Sequence, residues 1–85
     1  MQDVLARVQR AFGSAFDVEP GSVTIDTVPG DIRAWDSMGH VTLASSLEQE
    51  FGVTFDVDEL MEMENVREIV RLLQTKLGRL SKVVT

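Results

Sequence analysis

Apolar residues recur at helical spacing near the start of the chain, with arginines on the opposite side of the same helical wheel. The apolar positions are Val4, Leu5, Val8, Ala11, Phe12, Ala15 and Phe16, and the arginines are Arg7 and Arg10. This period predicts a first amphipathic helix over about residues 3–16. Gly13 lies inside it and lowers the helix propensity of its last turns.

Residues 17–36 show no sustained helical or strand period. They contain Pro20-Gly21 and Pro29-Gly30, and both dipeptides are turn signals. We therefore predict a long ordered loop, although loops of this length in compact domains are generally functional or disordered. Its apolar residues are expected to pin it to the core, and they are Val23, Ile25, Val28, Ile32 and Trp35.

The next two predicted helices are marked by their end signals. Helix two covers residues 37–51, and Gly52 supplies the residue that commonly follows a helix C-terminus. Asp56 and Glu59 have the spacing of a capping box, in which each side chain bonds the backbone amide of the other residue. This device predicts a short third helix over residues 56–62.

A fourth helix is predicted over residues 65–77, where Asn65 and Glu68 repeat the capping device ahead of one apolar stripe. Gly78 is expected to end that helix, leaving residues 78–85 as a frayed tail. The predicted fold is all-α: a four-helix bundle with three long helices, one short helix and a long loop between helices one and two.

Length and composition describe one small domain over residues 1–85. The chain is 44% apolar and has no cysteine, so its stability has to come from a packed core. With His40 as the single histidine, no transition-metal site is expected. The N-terminus lacks the basic start and apolar run of a signal peptide, and no stretch approaches the roughly 18 apolar residues of a membrane helix. We expect a cytoplasmic chain.

The charge is acidic and unevenly placed. Eight basic residues against fourteen acidic ones give a net charge of −6, which disfavours binding to nucleic acid. No Lys or Arg lies between Arg33 and Arg67, whereas eight acidic residues lie between Asp36 and Glu64. The segment predicts an acidic face that attracts basic patches on partner proteins.

The most informative motif is Trp35-Asp36-Ser37-Met38 at the predicted start of helix two, followed at its end by Leu47-Glu48-Gln49-Glu50-Phe51-Gly52-Val53. Together with the long loop and the capped third and fourth helices, this pattern resembles the acyl carrier protein family over nearly the whole chain. The family pattern is Asp-Ser-Leu, and Asp36, Ser37 and Met38 stand in those places. Met for Leu is a volume-conserving exchange.

The resemblance implies a carrier protein with no catalytic residue of its own. It implies that Ser37 receives a 4′-phosphopantetheine arm from coenzyme A through a phosphopantetheinyl transferase. Acyl groups would ride on the arm as thioesters and be presented to separate loading and processing enzymes. Fatty-acid carriers usually have several acidic residues early in this helix, where this chain has the neutral Gly39, Thr42, Ser45 and Ser46. This difference favours a role in specialised metabolism, with polyketide-like or fatty-acyl groups.

A helix N-terminus suits such a modification because its unpaired amides and partial positive charge stabilise a phosphodiester. The Ser37 hydroxyl is also accessible there. Asp36 cannot favour the phosphate electrostatically, so we expect it to face the transferase or the metal ion of that enzyme. The plainer interpretation is that Asp36 or Ser37 is only a helix cap.

The helical wheel of helix two separates a core arc from the remaining apolar positions. Met38 and Val41 fall away from that arc, so they are either half-buried packing residues or an apolar contact patch for partners. Glu48, Asp58 and Glu59 are the carboxylates expected around the patch. The core arc comprises Leu43, Ala44, Leu47 and Phe51.

His40 lies one helical turn from Ser37, which invites a nucleophile and base interpretation. No nucleophile elbow and no orienting third group accompany it, so we reject catalysis. A histidine hydrogen-bonded to the preceding loop near Trp35 fits better, and the other interpretation is a place in the lining of an acyl pocket.

Two alternatives remain at the level of function. A peptidyl carrier would use the same arm, but such carriers usually have glycine and often histidine before the serine, where this chain has Ala34-Trp35-Asp36. An unmodified helical interaction module would never accept the arm. Because the chain starts at a methionine without flanking linkers, we expect a free-standing carrier, and a monomer.

Overall fold

The computed structural model describes residues 4–84, with side chains described as far as Gly78. Within those residues the backbone forms four α-helices and no strand, which confirms the predicted all-α fold with three long helices, one short helix and a long first loop. Two 3₁₀ turns interrupt that loop, at Pro20–Ser22 and Pro29–Asp31. The helices are α1 (Val4–Phe16), α2 (Ser37–Phe51), α3 (Val57–Glu62) and α4 (Val66–Val84).

One hydrophobic core fills the space between the three long helices, because each of them turns an apolar stripe inward. On α2 the buried residues are those of the predicted core arc, which is confirmed: Leu43, Ala44, Leu47 and Phe51. Helices α1 and α4 and the link between α3 and α4 contribute further core residues: Val4, Val8, Ala11, Phe12, Met63, Val66, Ile69, Val70 and Leu73.

The long loop is fastened to two other helices before it reaches α2. The side-chain amide of Gln9 on α1 donates to the carbonyl of Val23 at 2.6 Å, and Val23 itself is fully buried. The backbone N–H of Val66 at the start of α4 donates to the carbonyl of Thr27 at 3.1 Å. The segment that leads to Ser37 is therefore ordered by non-local contacts.

One of the residues expected to pin the loop does not do so. Val28 is 42% exposed, because it stands immediately before the 3₁₀ turn at the surface. Its backbone N–H donates to the carboxylate of Asp31 at 3.1 Å, which closes that turn locally. Ile25 and Ile32 are partly buried and pack against the core.

Gly78 does not end the fourth helix, so the predicted frayed tail is wrong as far as Val84. Gly52, which follows α2, has a left-handed backbone with φ 68°, whereas Gly78 stays inside the helical backbone of α4. A single glycine costs a helix interior about 1 kcal/mol, which good helix formers on both sides can offset. Thr85 lies outside the described residues.

The predicted starts of helices three and four each differ from the structure by one residue, for the same reason. Asp56 and Asn65 were expected to be the first residues of helices three and four, but each is the non-helical cap that precedes its helix. Their side-chain oxygens accept hydrogen bonds from the amides of Glu59 and Glu68 at 2.8 and 2.9 Å. Residue 3, the expected start of helix one, lies outside the described residues.

Candidate functional site

Ser37 is the first residue of α2 and its side chain is exposed. The preceding Asp36 caps the helix, since its carboxylate accepts a hydrogen bond from the amide of Gly39 at 2.8 Å. The amides of Ser37 and Met38 lie in the first turn and have no partner within the helix. An exposed hydroxyl therefore stands beside amide donors at the positive end of a helix dipole.

The residue before the cap is buried and holds the loop against α1. Trp35 is 4% exposed, and its ring meets the ring of Phe12 edge to face, with centroids 5.0 Å apart at 81°. Phe16 lies further along the same helix face, with its ring centroid 6.4 Å from that of Trp35. This aromatic packing fixes the chain immediately before Asp36 and so sets where α2 begins.

His40 joins three elements through hydrogen bonds. The indole N–H of Trp35 donates to Nδ1 of His40 at 2.9 Å, and Nε2 of His40 lies 2.9 Å from the carbonyl oxygen of Leu60 on α3. Since an indole can only donate, Nδ1 is the acceptor, and the imidazole proton sits on Nε2 and is donated to Leu60. The structure thus brings Trp35 and His40 together and ties both to α3.

Gly39 allows a close approach that any other residue would block. A Cβ at this position would lie 1.8 Å from the carbonyl oxygen of Ala34 and 3.1 Å from the ring of Phe16. The loop backbone therefore lies directly against the first turn of α2. The sequence does not show this requirement for glycine. The contact between Gly39 and the Ala34 carbonyl depends on the conformation that the loop adopts before α2.

Met38 and Val41 are exposed, at 83% and 64%, so the half-buried packing interpretation is wrong for both. The short helix α3 exposes two more apolar side chains, Val57 at 70% and Met61 at 72%. Sequence reasoning missed these two. Their i, i+4 spacing was the available signal, since it places them on one face of α3.

The carboxylates expected around this surface divide into two kinds. Glu48 accepts a hydrogen bond from the amide of Phe55 at 2.9 Å and so holds the link between α2 and α3. Glu59 closes the capping box with Asp56 and pairs with Lys76 at 2.8 Å, where both side chains are only 18% exposed. Asp58 is exposed, so it is the one of the three that faces solvent.

Two further findings bear on what the chain can do. Among residues 4–84, no three His, Cys, Asp or Glu side chains are grouped so that they could hold a metal ion. No helix in that part of the chain is both long enough and apolar enough to span a membrane.

These features define a small helical domain that presents one serine at the N-terminus of its second helix, and comparison with known proteins agrees. Residues 34–73 match the family model described as a phosphopantetheine attachment site. The acyl carrier protein of Phenylobacterium zucineum is 31% identical over 92% of this chain and 99% of its own length. The acyl carrier protein of Petrotoga mobilis is 32% identical over 89% of each chain.

A third relative is a much larger protein. The non-reducing polyketide synthase pkdA of Emericella nidulans is 34% identical over 84% of this chain, which spans only 3% of the synthase. The coverage of the bacterial relatives is nearly complete, and on that ground the chain belongs to the acyl carrier protein family.

Members of this family carry 4′-phosphopantetheine as a covalently attached group, and the match to the attachment-site family implies it for this chain. The residues present fit that group. A phosphodiester at the start of α2 would meet the unpaired amides of Ser37 and Met38, while the carboxylate of Asp36 is engaged with Gly39. The family also implies interaction with a phosphopantetheinyl transferase and with acyl-processing enzymes.

Proposed function

We propose that this chain is an acyl carrier protein in which Ser37 bears the phosphopantetheine arm. The observation that carries the proposal is the position of Ser37: exposed, first in a capped helix, and inside the segment that matches the attachment-site family. The arm supplies a terminal thiol on which acyl groups are held as thioesters. The chain holds and presents these groups, and separate enzymes act on them.

The attachment step transfers one group and needs no base from this chain. The hydroxyl oxygen of Ser37 forms a bond to the phosphorus of the phosphopantetheine unit of coenzyme A. The pyrophosphate bond of coenzyme A breaks, adenosine 3′,5′-bisphosphate leaves with the bonding electron pair, and the hydroxyl proton passes to a base of the transferase. Ser37 remains as a phosphodiester beside the amide donors of the first turn of α2.

The hydrogen bonds of His40 support a carrier without catalytic activity. A general base needs a free lone pair within reach of the proton it removes. The lone pair on Nδ1 already accepts the indole N–H of Trp35, and Nε2 carries a proton that bonds Leu60. His40 is therefore engaged in holding the loop and α3 rather than in activating Ser37.

We propose that partner enzymes bind the exposed apolar side chains near Ser37, with carboxylates around them. Met38 and Val41 would supply close contact. Val57 and Met61, the exposed apolar side chains of α3, would be further contacts for a partner that also reaches that helix. Steering of basic partner patches falls to exposed carboxylates such as Asp58, because Glu48 and Glu59 are occupied within the fold. The chain acts as a monomer in these encounters.

The first turn of α2 contains no acidic residue, and this supports a carrier of specialised metabolism. The cargo would be a polyketide-like or fatty acyl group. The relatives include free-standing bacterial acyl carrier proteins and a segment of a fungal polyketide synthase, so both settings occur among similar sequences. An aminoacyl cargo, as in peptidyl carriers, and an unmodified interaction module are the competing functions.

Intact-mass spectrometry after incubation with coenzyme A and a broad-specificity phosphopantetheinyl transferase tests the proposal. We expect the chain to gain one phosphopantetheinyl group. Ser37→Ala should gain none, and Ser45→Ala, which alters an exposed serine in the middle of α2, should gain one. An unchanged wild-type mass would favour the interaction module, and a modified Ser37→Ala would move the site elsewhere.

Transferase kinetics across ionic strength test the proposed partner surface. Met38→Glu and Val41→Glu should lower the transfer rate at every salt concentration, because they place a charge within the contact. Asp58→Asn should lower it mainly at low salt, where long-range steering is strongest. Glu19→Gln, an exposed carboxylate of the first loop, is the matched control. Wild-type rates for both α2 variants would place recognition elsewhere.

A further inference from the structure

A shallow surface hollow lies directly beside Ser37. Its lining consists of Pro29, Trp35, Asp36, Ser37 and His40, and the exposed lining is mostly apolar. Pro29 opens the second 3₁₀ turn of the loop, so the hollow lies between that turn and the first turn of α2. The candidate attachment residue thus forms part of the rim of a small apolar depression.

The polar atoms of the two rings that line the hollow are already satisfied. The indole N–H of Trp35 is donated to His40, and the remaining ring nitrogen of His40 bonds the carbonyl of Leu60. The two rings are nearly parallel, at 11°, with centroids 6.3 Å apart, which is a side-by-side arrangement around their shared hydrogen bond. The rings of Pro29 and His40 are partly exposed and offer most of the carbon surface, to which Trp35, at 4% exposed, adds only a little.

We propose that this hollow receives the geminal dimethyl group of the phosphopantetheine arm, so that Trp35, His40 and Pro29 position the first part of the arm. The proposal rests on attachment at Ser37. In the arm, only the phosphorus, one oxygen and one methylene carbon separate the Ser37 oxygen from the quaternary carbon that bears the two methyl groups. The most apolar part of the arm is therefore also the part that can reach a hollow adjoining Ser37.

The other parts of the arm match the hollow less well. The hydroxyl and the two amides follow the methyl groups and need hydrogen-bond partners, which these rings do not offer. A larger open groove on the loop mixes apolar residues with Asp26, Asp31 and Arg33, and it is lined by Asp36 but not by Ser37. The smaller hollow is therefore the one that adjoins the attachment oxygen. Burial of the methyl groups beside Ser37 would lower the entropy cost of presenting the arm.

Isotope-filtered NMR of the converted protein tests the placement. Labelled chain modified with unlabelled coenzyme A shows the two arm methyl groups as separate signals, and Trp35 is the single tryptophan of the chain. We expect nuclear Overhauser contacts from these methyl groups to ring protons of Trp35, His40 or Pro29. Contacts to none of the three, in protein whose mass shows full conversion, would overturn the placement while leaving the attachment intact.

Two variants and one cargo sharpen the test. Pro29→Ala removes one wall of the hollow and should weaken the methyl contacts, whereas Gly30→Ala, with open space around its Cβ, should leave them unchanged. Equal contacts in both variants would contradict the proposed role of Pro29 as a wall of the hollow.

A loaded cargo gives a second test. If protein loaded from hexanoyl-coenzyme A shows the ring contacts from the acyl chain instead of the arm methyl groups, the hollow holds cargo and the proposal is wrong. A failure of the mass increase itself would instead reject attachment.

Discussion

The two ends of α2 are built in opposite ways. At the C-terminal end Leu47 is fully buried, Phe51 is 7% exposed, and the carboxylate of Glu50 lies 3.0 Å from Nη2 of Arg10 and 3.4 Å from Nε of Arg7. The guanidinium of Arg7 also lies over the ring of Phe51, 4.4 Å from its centroid.

The N-terminal end exposes its apolar residues to solvent, and contacts with other segments keep it ordered. Met38 and Val41 are exposed, and the first turn is held by the Asp36 cap, by the Ala34 backbone against Gly39 and by the link through His40. One helix thus contains a half that stabilises the fold and a half that presents a serine. Exposed apolar side chains add little to stability, and the proposed partner surface would give those beside Ser37 a use.

The largest expected effect separates the two halves by stability. Phe51→Ala should lower the free energy of unfolding by about 3–5 kcal/mol, because a buried ring is removed from the core. Met38→Ala should change it by no more than about 0.5 kcal/mol, since that side chain is 83% exposed. Urea unfolding followed by circular dichroism measures both. Equal losses would mean that Met38 packs against the fold and that the halves do not differ.

Gly39 should be the most sensitive position at the N-terminal end. Gly39→Ala places a Cβ against the Ala34 carbonyl and should cost about 3 kcal/mol, the upper range for over-packing. Gly78→Ala is the matched control in α4, where nothing lies near the added atom, and it should stabilise the chain by up to about 1 kcal/mol. Thermal unfolding compares the two, and a neutral Gly39→Ala would contradict the close approach.

These two glycines also show how far the sequence predicts the fold. Helix ends that depend on local signals could be predicted, as with the cap at Asp36 and the left-handed Gly52. Gly78 carried the same local signal as Gly52, yet the backbone continues as helix there as far as Val84. The need for glycine at position 39 could not be predicted, because it comes from a loop that packs across the helix.

In the candidate site, too, some features could be predicted from the sequence and others could not. The serine, its cap and the off-core position of Met38 follow from spacing along one helix. The capping role of Glu59 follows from its spacing to Asp56, and it is confirmed. The bond of Glu48 to the Phe55 amide and the pairing of Glu59 with Lys76 could not be predicted, because both depend on the way α3 packs. A count of acidic residues therefore overstates how many carboxylates are available to partner proteins.

Removal of His40 should have an intermediate effect on stability. His40→Ala leaves the indole N–H of Trp35 and the Leu60 carbonyl without their partner and should cost about 2 kcal/mol. The rate of transfer to Ser37, measured at a temperature where the variant is folded, should stay close to that of wild type. A large loss of rate in a fully folded variant would indicate that His40 takes part in the chemistry.

The smallest expected effect is at the C-terminal end and depends on pH. The hydrogen bond from Arg10 is the largest influence on the pKa of Glu50, and it lowers that pKa from its ordinary 4.5. Burial raises the pKa, but the hydrogen bonds from Arg10 and Arg7 together outweigh it. The stability contributed by this lowered pKa is therefore fully present above pH 4.5 and is lost as pH falls through the lower pKa of the folded chain.

Glu50→Gln removes that ionisation and should cost less than about 1 kcal/mol at neutral pH. The difference in unfolding free energy between wild type and variant should shrink as the solution is acidified below pH 4.5. Urea titrations at several pH values measure this difference. A difference that grew on acidification would show that the pKa of Glu50 is raised rather than lowered.

In the proposed function, the N-terminal half of α2 bears the phosphopantetheine arm. Tandem mass spectrometry of peptides from the chain, after conversion with coenzyme A and a transferase, locates the added group on a single residue. We expect the phosphopantetheinyl group on Ser37 alone, with a terminal thiol that accepts an acyl group. A group found on Ser22, Ser45 or Ser46, or none at Ser37 in fully converted protein, would show that the serine at the start of α2 is not the point of attachment.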